Sequence, residues 1–173
     1  MSRRLNLPDS ASVARPAEGG KLCAPSAERN AGPICDLVER YGPSQGRGLE
    51  LASGTGQHVV ALARRLPDLD WQPSEIDEAR RASIRAWTSE AGLPNLRDPL
   101  ALDAATPGWA EAHGPADLIL LVNLLHLIPE EDARAIVAEA GRALVPGGTF
   151  ILYGPFMRGG ELTSEGDRSF HAS

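Results

Sequence analysis

The sequence has few cysteines, no long apolar run and no excess of basic residues. Its two cysteines, Cys23 and Cys35, are too few for a disulfide scaffold and lack the spacing of a zinc site, so we expect a reducing cytoplasm and no bound metal. Asp and Glu outnumber Lys and Arg by 23 to 17, a net charge of −6, which disfavours nucleic acid or an anionic membrane as the main partner. No apolar run approaches the ~20 residues that span a bilayer.

Length and composition favour one folded domain. A domain usually has about 100–200 residues, and this chain has 173, of which 42% are hydrophobic. Residues 1–22 contain few large apolar side chains and several prolines and glycines, which predicts a flexible leader before a domain at residues 23–173. Residues 25–30 are predicted to be a loop, and Pro33 is predicted to begin the first helix, because proline suits the first helical position.

Strand-like and helix-like segments alternate from residue 48 onward. Short apolar runs predict strands at residues 48–52, 69–73, 96–102, 117–123 and 149–153, and helical periodicity occupies the intervals between them. This alternation is typical of a doubly wound α/β fold with a parallel sheet. Ligands bind beyond the carboxyl ends of the strands in such sheets, so the residues that follow each strand are the candidates for function.

The strongest motif follows the first predicted strand. Glu50 precedes the segment Ser53-Gly54-Thr55-Gly56, and two alternating glycines allow a tight turn whose bare N–H groups a ligand can approach. A plain glycine turn is the alternative. Val59 stands where a dinucleotide-binding loop has Gly or Ala, and the Glu50 carboxylate would repel a diphosphate but pair with an ammonium group. The motif therefore predicts a cofactor without phosphates and with a cationic end.

Acidic residues follow the second and third predicted strands. Glu75 follows the second strand, where a carboxylate can accept both hydroxyls of a ribose. The alternatives are an exposed charge at the start of a helix, and Asp77, which competes for the same role. Asp103 follows the third strand and is predicted either to reach an adenine amino group or to cap a turn.

Polar and aromatic residues follow the last two predicted strands. Asn123 and His126 follow the fourth strand, and Tyr153 ends the fifth. His126 is a candidate general base, and a hydrogen bond to loop backbone is the alternative. Tyr153 is predicted either to form a wall of a substrate pocket or to belong to the core. His58, in the first turn of the second helix, is assigned a structural role.

Several segments together resemble the class I S-adenosylmethionine-dependent methyltransferase superfamily. They are the glycine motif that begins at Glu50, the acid Glu75, Leu102-Asp103 and Val145–Thr149. The chain also resembles a branch of bacterial and animal proteins similar to methyltransferase-like protein twenty-six, in the segments Ala24–Asn30, Glu50–His58, Trp71–Ser74, Asn123–His126 and Tyr153–Phe156. It departs from the usual patterns at Ala52, which replaces the first glycine of the superfamily motif, and at Glu75, where the branch usually has Asp. The resemblance implies a Rossmann-like sheet with strand order 3-2-1-4-5.

The resemblance also implies a cofactor, S-adenosylmethionine, and a set of residues that bind it. Glu50 and the glycine loop (residues 52–56) would hold the methionine end, Glu75 the ribose and Asp103 the adenine. The full implied set is Glu50, Ala52, Ser53, Gly54, Gly56, Glu75, Asp103 and Asn123. The implied activity is methyl transfer to a small molecule, with His126 as the base and Tyr153 beside the substrate.

Three residues before the first predicted helix are predicted to form a lid over the site. They are Ser26, Arg29 and Asn30, whose stretch fits no core pattern.

Two other functions compete with methyl transfer: a cofactor-binding module without catalysis, and an NAD-type oxidoreductase, which Glu50 and Val59 disfavour. The antiparallel hairpin that follows the fifth strand in the superfamily is expected to be absent. The fifth strand would then be an open edge, which predicts either a homodimer through that edge or poor solubility of the isolated protein.

Overall fold

The structure, a computed structural model, describes residues 13–156. Its elements in chain order are β1 (Arg15–Pro16), β2 (Leu22–Cys23), α1 (Pro25–Tyr41), β3 (Gly46–Leu51), α2 (Gln57–Arg65), β4 (Leu69–Glu75), α3 (Glu78–Ala91), β5 (Leu100–Ala101), α4 (Trp109–His113), β6 (Ala116–Val122), α5 (Glu130–Ala143) and β7 (Leu144–Tyr153). Single 3-10 turns lie at Glu18–Gly20 and Leu125–Leu127.

The main sheet has five strands in the order β5-β4-β3-β6-β7. Every neighbouring pair is parallel. Strand β3 lies at the centre, where Glu50 is opposite Pro73 of β4 on one side and Leu120 of β6 on the other. Numbered along the chain, the sheet strands have the order 3-2-1-4-5. The predicted doubly wound α/β fold and its strand order are therefore confirmed.

Helices cover both faces of this sheet and enclose two apolar clusters. The cluster beneath α1, α2 and α3 includes Trp71 and Leu120, and the cluster beneath α4 and α5 includes Leu49 and Ile119. Successive side chains of β6 alternate between the two clusters, because side chains alternate across a strand. Both faces of β6 are thus buried, which explains its continuous apolar sequence.

Helix α1 begins at Pro25, so the predicted loop at residues 25–30 is wrong and Pro33 lies inside the helix. A proline within a helix costs about 3 kcal/mol, so contacts outside the helix must favour the continuous form. Such contacts exist at its start: Gln57 Oε1 accepts a hydrogen bond from Ala24 N at 2.6 Å, and Ala27 is buried. The local sequence pattern cannot reveal these contacts because the partners come from a later part of the chain.

Strand β7 begins at Leu144 rather than at residue 149 as predicted. Its pairing with β6 is irregular, because β7 advances from Leu144 to Thr149 while β6 advances only from Ala116 to Leu118. The segment Pro146-Gly147-Gly148, predicted as a turn before the strand, is therefore a bulge within it.

Strand β5 is shorter than the predicted third strand. It covers Leu100–Ala101, and earlier in the predicted range Leu96 forms an isolated bridge with Trp71. Proline at position 99 lacks the N–H that a longer ladder would need. The edge of the sheet on this side is consequently short.

Strands β1 and β2 form a small antiparallel pair that contacts α3. Leu22 N donates to Ser83 Oγ at 2.8 Å, and Trp87 Nε1 donates to the Leu22 carbonyl at 2.9 Å. The Lys21 ammonium lies 4.6 Å from the centroid of the Trp87 ring. The part of the predicted leader that the structure describes thus packs on the domain, and the boundary at residue 22 stays a prediction.

The expected absence of a C-terminal hairpin concerns residues 157–173, which lie outside the described residues. Across residues 13–156, no helix has both the length and the apolar character needed to cross a membrane. Over the same range, the structure contains no group of three or more His, Cys, Asp or Glu residues arranged to hold a metal ion.

Candidate functional site

The glycine loop connects β3 to α2 at the carboxyl edge of the sheet. Three of its residues have positive φ: Ala52 at 49°, Gly54 at 58° and Gly56 at 94°. A Cβ on Gly56 would lie 2.9 Å from the Cα of Ile84, so glycine at this position allows the loop to pack against α3. Ser53 N donates to the Ser74 carbonyl of β4 at 2.8 Å, which ties the loop to the neighbouring strand.

Glu50 lies beneath the glycine loop and is almost fully buried, with 1% of its surface exposed. Its Oε2 has no hydrogen-bond partner among the described residues. The pKa of Glu50 is raised to about 8, chiefly by burial. The hydrogen bond of the Ser53 side chain lowers this pKa, and the nearby Glu75 carboxylate raises it further. A cationic group placed beside this free oxygen would offset the cost of ionising the buried carboxyl group.

Glu75 also points toward the glycine loop and is 3% exposed. Its Oε2 accepts from Gly54 N at 3.0 Å and its Oε1 from Asp77 N at 3.1 Å. Asp77 has a different task, because its Oδ1 accepts from Arg80 N at 2.9 Å and caps α3. The structure therefore brings Glu75, and not Asp77, against the loop, and the alternative of an exposed charge at position 75 is wrong.

Asp103 lies beside the end of β4, since Leu102 N donates to the Glu75 carbonyl at 3.4 Å. Its Oδ1 accepts from Ala105 N at 3.0 Å, and its carbonyl accepts from Thr106 N at 3.1 Å. The side chain thus caps a turn, as one of its two predicted roles requires. This turn lies at the same edge of the sheet as Glu75. The other predicted role, contact with an adenine amino group, would place Asp103 at that edge too.

Asn123 directly follows β6 and has a left-handed conformation, with φ at 53°. Its backbone N donates to the Tyr153 carbonyl at 2.8 Å. With the Asn30 amide assigned so that its nitrogen faces the carbonyls of Ser26 and Ala27, Asn123 Nδ2 lies 3.2 Å from Asn30 Oδ1, and Asn30 Nδ2 lies 2.7 Å from His58 Nε2. A chain of three polar side chains therefore joins the end of β6, helix α1 and the first turn of α2.

The predicted lid residues lie on helix α1 instead of on a loop. Asn30 contacts the site through His58 and Asn123, and the Ser26 carbonyl accepts from Asn30 Nδ2 at 2.7 Å. Arg29 is exposed on the same helix. The expected loop conformation of the three residues is thus wrong, and their role as a lid stays a prediction.

An apolar cleft adjoins Asn123 at the ends of β6 and β7. Its walls include four leucines together with Tyr153 and Phe156, and His126 lies among them. His126 belongs to the single 3-10 turn that follows β6, which places it at the same cleft as Tyr153. The structure thus unites the two residues that the sequence suggested for the acceptor side.

Three polar residues that the sequence reasoning left out support the site. Gln57 Oε1 accepts from Thr55 Oγ1 at 2.8 Å as well as from α1, and Ser83 Oγ donates to the Thr55 carbonyl at 2.8 Å. Ser74 Oγ donates to the Glu50 carbonyl at 2.8 Å. The position of Gln57 directly after the glycine loop was a usable signal, whereas a single serine inside a helix or strand gives none.

A parallel sheet in this order, with a glycine loop and buried acids at its carboxyl edge, defines the Rossmann-like fold of methyltransferases. An O-methyltransferase family protein from Burkholderia thailandensis has the same fold, with 21% identity and a TM-score of 0.60 over 73% of this chain and 39% of that chain. The glycopeptide N-methyltransferase MtfA has 20% identity and a TM-score of 0.62 over 71% of this chain and 52% of its own. Coclaurine N-methyltransferase, solved with N-methylheliamine and SAH, has 15% identity and a TM-score of 0.61 over 83% of this chain and 40% of its own.

The chain belongs to the family described as "Protein of unknown function (DUF938)", whose model matches residues 21–173. Among curated proteins it is similar to a tRNA (guanine-N(7)-)-methyltransferase from Leifsonia xyli, with 34% identity over 67 residues, 39% of this chain and 30% of that protein. A tRNA (guanine-N(7)-)-methyltransferase from Shewanella pealeana is 36% identical over 62 residues, 36% of this chain and 26% of its own length. The chain thus spans less than a third of the length of these two curated relatives.

Proposed function

We propose that this protein binds S-adenosylmethionine and transfers its methyl group to a small-molecule acceptor. The observation that carries the proposal is the buried Glu50 carboxyl group, whose Oε2 has no partner among the described residues and lies beneath the glycine loop. S-adenosylmethionine has cationic groups and no phosphates, which is the kind of ligand that this donor set favours. The solved MtfA structures with sinefungin and with S-adenosyl-L-homocysteine add support from the same fold.

The residues around the loop fit the parts of this cofactor. Glu50 would pair with its ammonium group, and the backbone of Ser53 and Gly54 would face its carboxylate. Glu75 would accept the ribose hydroxyls, since each carboxylate oxygen keeps lone pairs beyond the one that its backbone N–H donor uses. Asp103 would lie by the adenine. Ala52 and Gly56 shape the loop, and Asn123 borders it.

The cofactor supplies a methyl group already activated by its sulfonium, so the protein's task is alignment and exclusion of water. The apolar cleft beside Asn123 would hold the acceptor, with Tyr153 as part of its wall. His126 would accept a proton where the acceptor must lose one. Net charge of −6 and an apolar cleft favour a small molecule over nucleic acid, although the partial relatives act on tRNA by name.

Calorimetric titration with S-adenosylmethionine, S-adenosyl-L-homocysteine and NAD tests this proposal. We expect both sulfur-containing ligands to bind and NAD not to bind, because Glu50 would repel a diphosphate and Val59 stands where a dinucleotide-binding loop has Gly or Ala. Binding of NAD alone would favour the oxidoreductase, and binding of none would refute the enzyme function. Binding without S-adenosylhomocysteine formation across a broad acceptor panel would favour a module without catalysis.

Three further expectations belong to the same proposal: the likeness to the branch of methyltransferase-like protein twenty-six, the cytoplasmic location and a homodimer through β7. Strand β7 is an edge of the sheet within the described residues, and an exposed strand edge can pair with another chain. Light scattering at high protein concentration should therefore give the mass of a dimer. A constant monomer mass would contradict pairing at this edge.

A further inference from the structure

The side-chain amide of Asn30 has one orientation that satisfies all its neighbours. The carbonyls of Ser26 and Ala27 lie 2.7 and 3.2 Å from its nitrogen, and a carbonyl can only accept. Nδ2 therefore faces these carbonyls together with His58 Nε2, and Oδ1 faces Asn123 Nδ2 at 3.2 Å. We assign the orientation from this network, as amide atoms must be.

His58 is constrained by the same network. Because Asn30 Nδ2 donates to His58 Nε2 in this orientation, Nε2 must be the unprotonated nitrogen of the ring. Burial lowers the pKa of His58 to about 4, so the ring is neutral at physiological pH and carries its proton on Nδ1. A protonated ring would place an N–H against the Asn30 amide nitrogen. Neutral His58 thus fixes the Asn30 amide, and Asn30 in turn fixes the amide of Asn123.

The consequence for Asn123 is that its Nδ2 is occupied and its Oδ1 faces the other way. That oxygen lies 3.9 Å from where a Cβ on Gly154 would be, and Gly154 lines the apolar cleft. Among the described residues, no group donates a hydrogen bond to Asn123 Oδ1. The network therefore presents one oriented acceptor oxygen next to Gly154, at the edge of the apolar cleft.

We propose that Asn123 Oδ1 accepts an N–H from the methyl acceptor, and that this acceptor is an uncharged amine with an apolar body. The inference rests on the proposed function. In the reaction the nitrogen lone pair forms the bond to the methyl carbon, the C–S bond breaks with its electron pair on sulfur, and the resulting ammonium releases one proton to water. An amide oxygen can align a nucleophile that keeps its proton during attack, whereas it cannot deprotonate a hydroxyl. Asn30 and His58 act as positioning residues.

Sinefungin is the probe for this geometry, because it carries an amine where S-adenosylmethionine carries its methyl group. The test compares Kd for sinefungin and for S-adenosyl-L-homocysteine, which lacks that amine, in the wild type and in variants. Asn123→Gly removes the side chain without backbone strain, since glycine adopts a φ of 53° freely. We expect sinefungin affinity to fall about tenfold or more, as loss of a hydrogen bond to a charged group does, with S-adenosyl-L-homocysteine affinity changed less than twofold.

The positioning residues have matched variants. Asn30→Ala and His58→Leu should weaken sinefungin selectively, whereas His58→Gln retains an acceptor near the same point and should restore most of the affinity. Arg40→Ala, exposed in the last turn of the same helix, is the control and should change neither ligand. Equal loss of both ligands in Asn123→Gly would mean that Asn123 contacts a shared part of the cofactor, and would overturn this inference while leaving the proposed function intact. Wild-type protein that binds neither ligand would refute both this inference and the proposed function.

A measurement that needs no ligand keeps the inference testable if the variants fail to fold. Nitrogen-15 NMR of His58 in the wild type, assigned with His58→Gln, should show a neutral ring protonated on Nδ1 at pH 6. A ring that is protonated on Nε2, or that titrates near pH 6.5, would break the network and overturn the inference.

Discussion

The carboxyl edge of the sheet has two halves with opposite chemistry. The polar half, at the ends of β3 and β4, consists of the glycine loop with Glu50 and Glu75, both nearly inaccessible to solvent. The apolar half, at the ends of β6 and β7, is the cleft lined by leucines with Tyr153 and His126. The first half holds an ionisable group whose charge needs a partner, and the second offers an environment that removes water. Under the proposed function, the two halves would bind a charged cofactor beside a desolvated acceptor, with Asn123 next to Gly154 of the apolar half.

The largest expected effect concerns the charge of the polar half. Glu50→Gln keeps the size of the side chain and removes the charge, so S-adenosylmethionine should lose its ammonium partner. We expect affinity to fall by about a hundredfold or more, since breaking a buried ion pair costs about 3–5 kcal/mol. Calorimetry on the variant measures this, with Glu78→Gln on the exposed surface of α3 as the matched control. Unchanged affinity would remove Glu50 from the cofactor site.

A substitution in the apolar half should lower the stability of the fold and leave the cofactor affinity unchanged. Leu121 is 1% exposed and also lines the cleft, so Leu121→Ala should lower the free energy of unfolding by about 2–5 kcal/mol through lost burial and a cavity. Urea titration measures the loss. Calorimetry below the new melting temperature should give wild-type affinity for S-adenosyl-L-homocysteine, and a parallel loss of affinity would show that the two halves are not separable.

The pH dependence of folding should differ between wild type and Glu50→Gln. The pKa of Glu50 is about 8 in the folded protein, raised from 4.5, so the folded state holds a proton that the unfolded state has released between these values. Stability from this group is therefore complete below about pH 4.5 and is lost as pH rises to about 8. The wild type should lose stability relative to Glu50→Gln between pH 6.5 and 8, by an amount on the order of 1–3 kcal/mol. Parallel curves from chemical denaturation would contradict the raised pKa.

The same titration should appear in cofactor binding. If the bound cofactor requires ionised Glu50, wild-type affinity rises as pH increases toward about 8, and binding near pH 7 releases a proton. Calorimetry in buffers with different ionisation enthalpies measures the proton count. An absence of proton release in the wild type would be inconsistent with pairing at this carboxylate.

The smallest expected effect concerns Ala52. Its φ of 49° costs a residue with a Cβ about 1–2 kcal/mol, and glycine removes that cost but gains freedom in the unfolded chain. Ala52→Gly should therefore raise stability by less than about 1 kcal/mol. Ala61→Gly, within α2, should instead lower it by about 0.5–1 kcal/mol. Destabilisation of similar size at both positions would argue against strain at Ala52.

Sequence reasoning anticipated the fold because the alternation of apolar runs is a local signal and the continuous run of β6 is unambiguous. It also located Glu50 and Glu75, since both lie at the carboxyl ends of strands that meet at one edge of the sheet. It could not place the start of α1, because Pro33 is a strong local signal and the contacts that outweigh it come from Gln57 and His58. Nor could it assign His58 beyond a structural role, because the neighbours that define its hydrogen bond lie on two other elements.

The contact of the β1–β2 pair with α3 has an optical consequence. Trp87 donates its indole N–H to the Leu22 carbonyl, and Ser83 links Leu22 N to the Thr55 carbonyl of the glycine loop. Displacement of that loop by a ligand would move the partner of the indole and alter its emission. Trp71 and Trp109 are buried in the core and provide a steady background. Trp87 is thus a native fluorophore for ligand binding, and Trp87→Phe should abolish the ligand-dependent change in fluorescence.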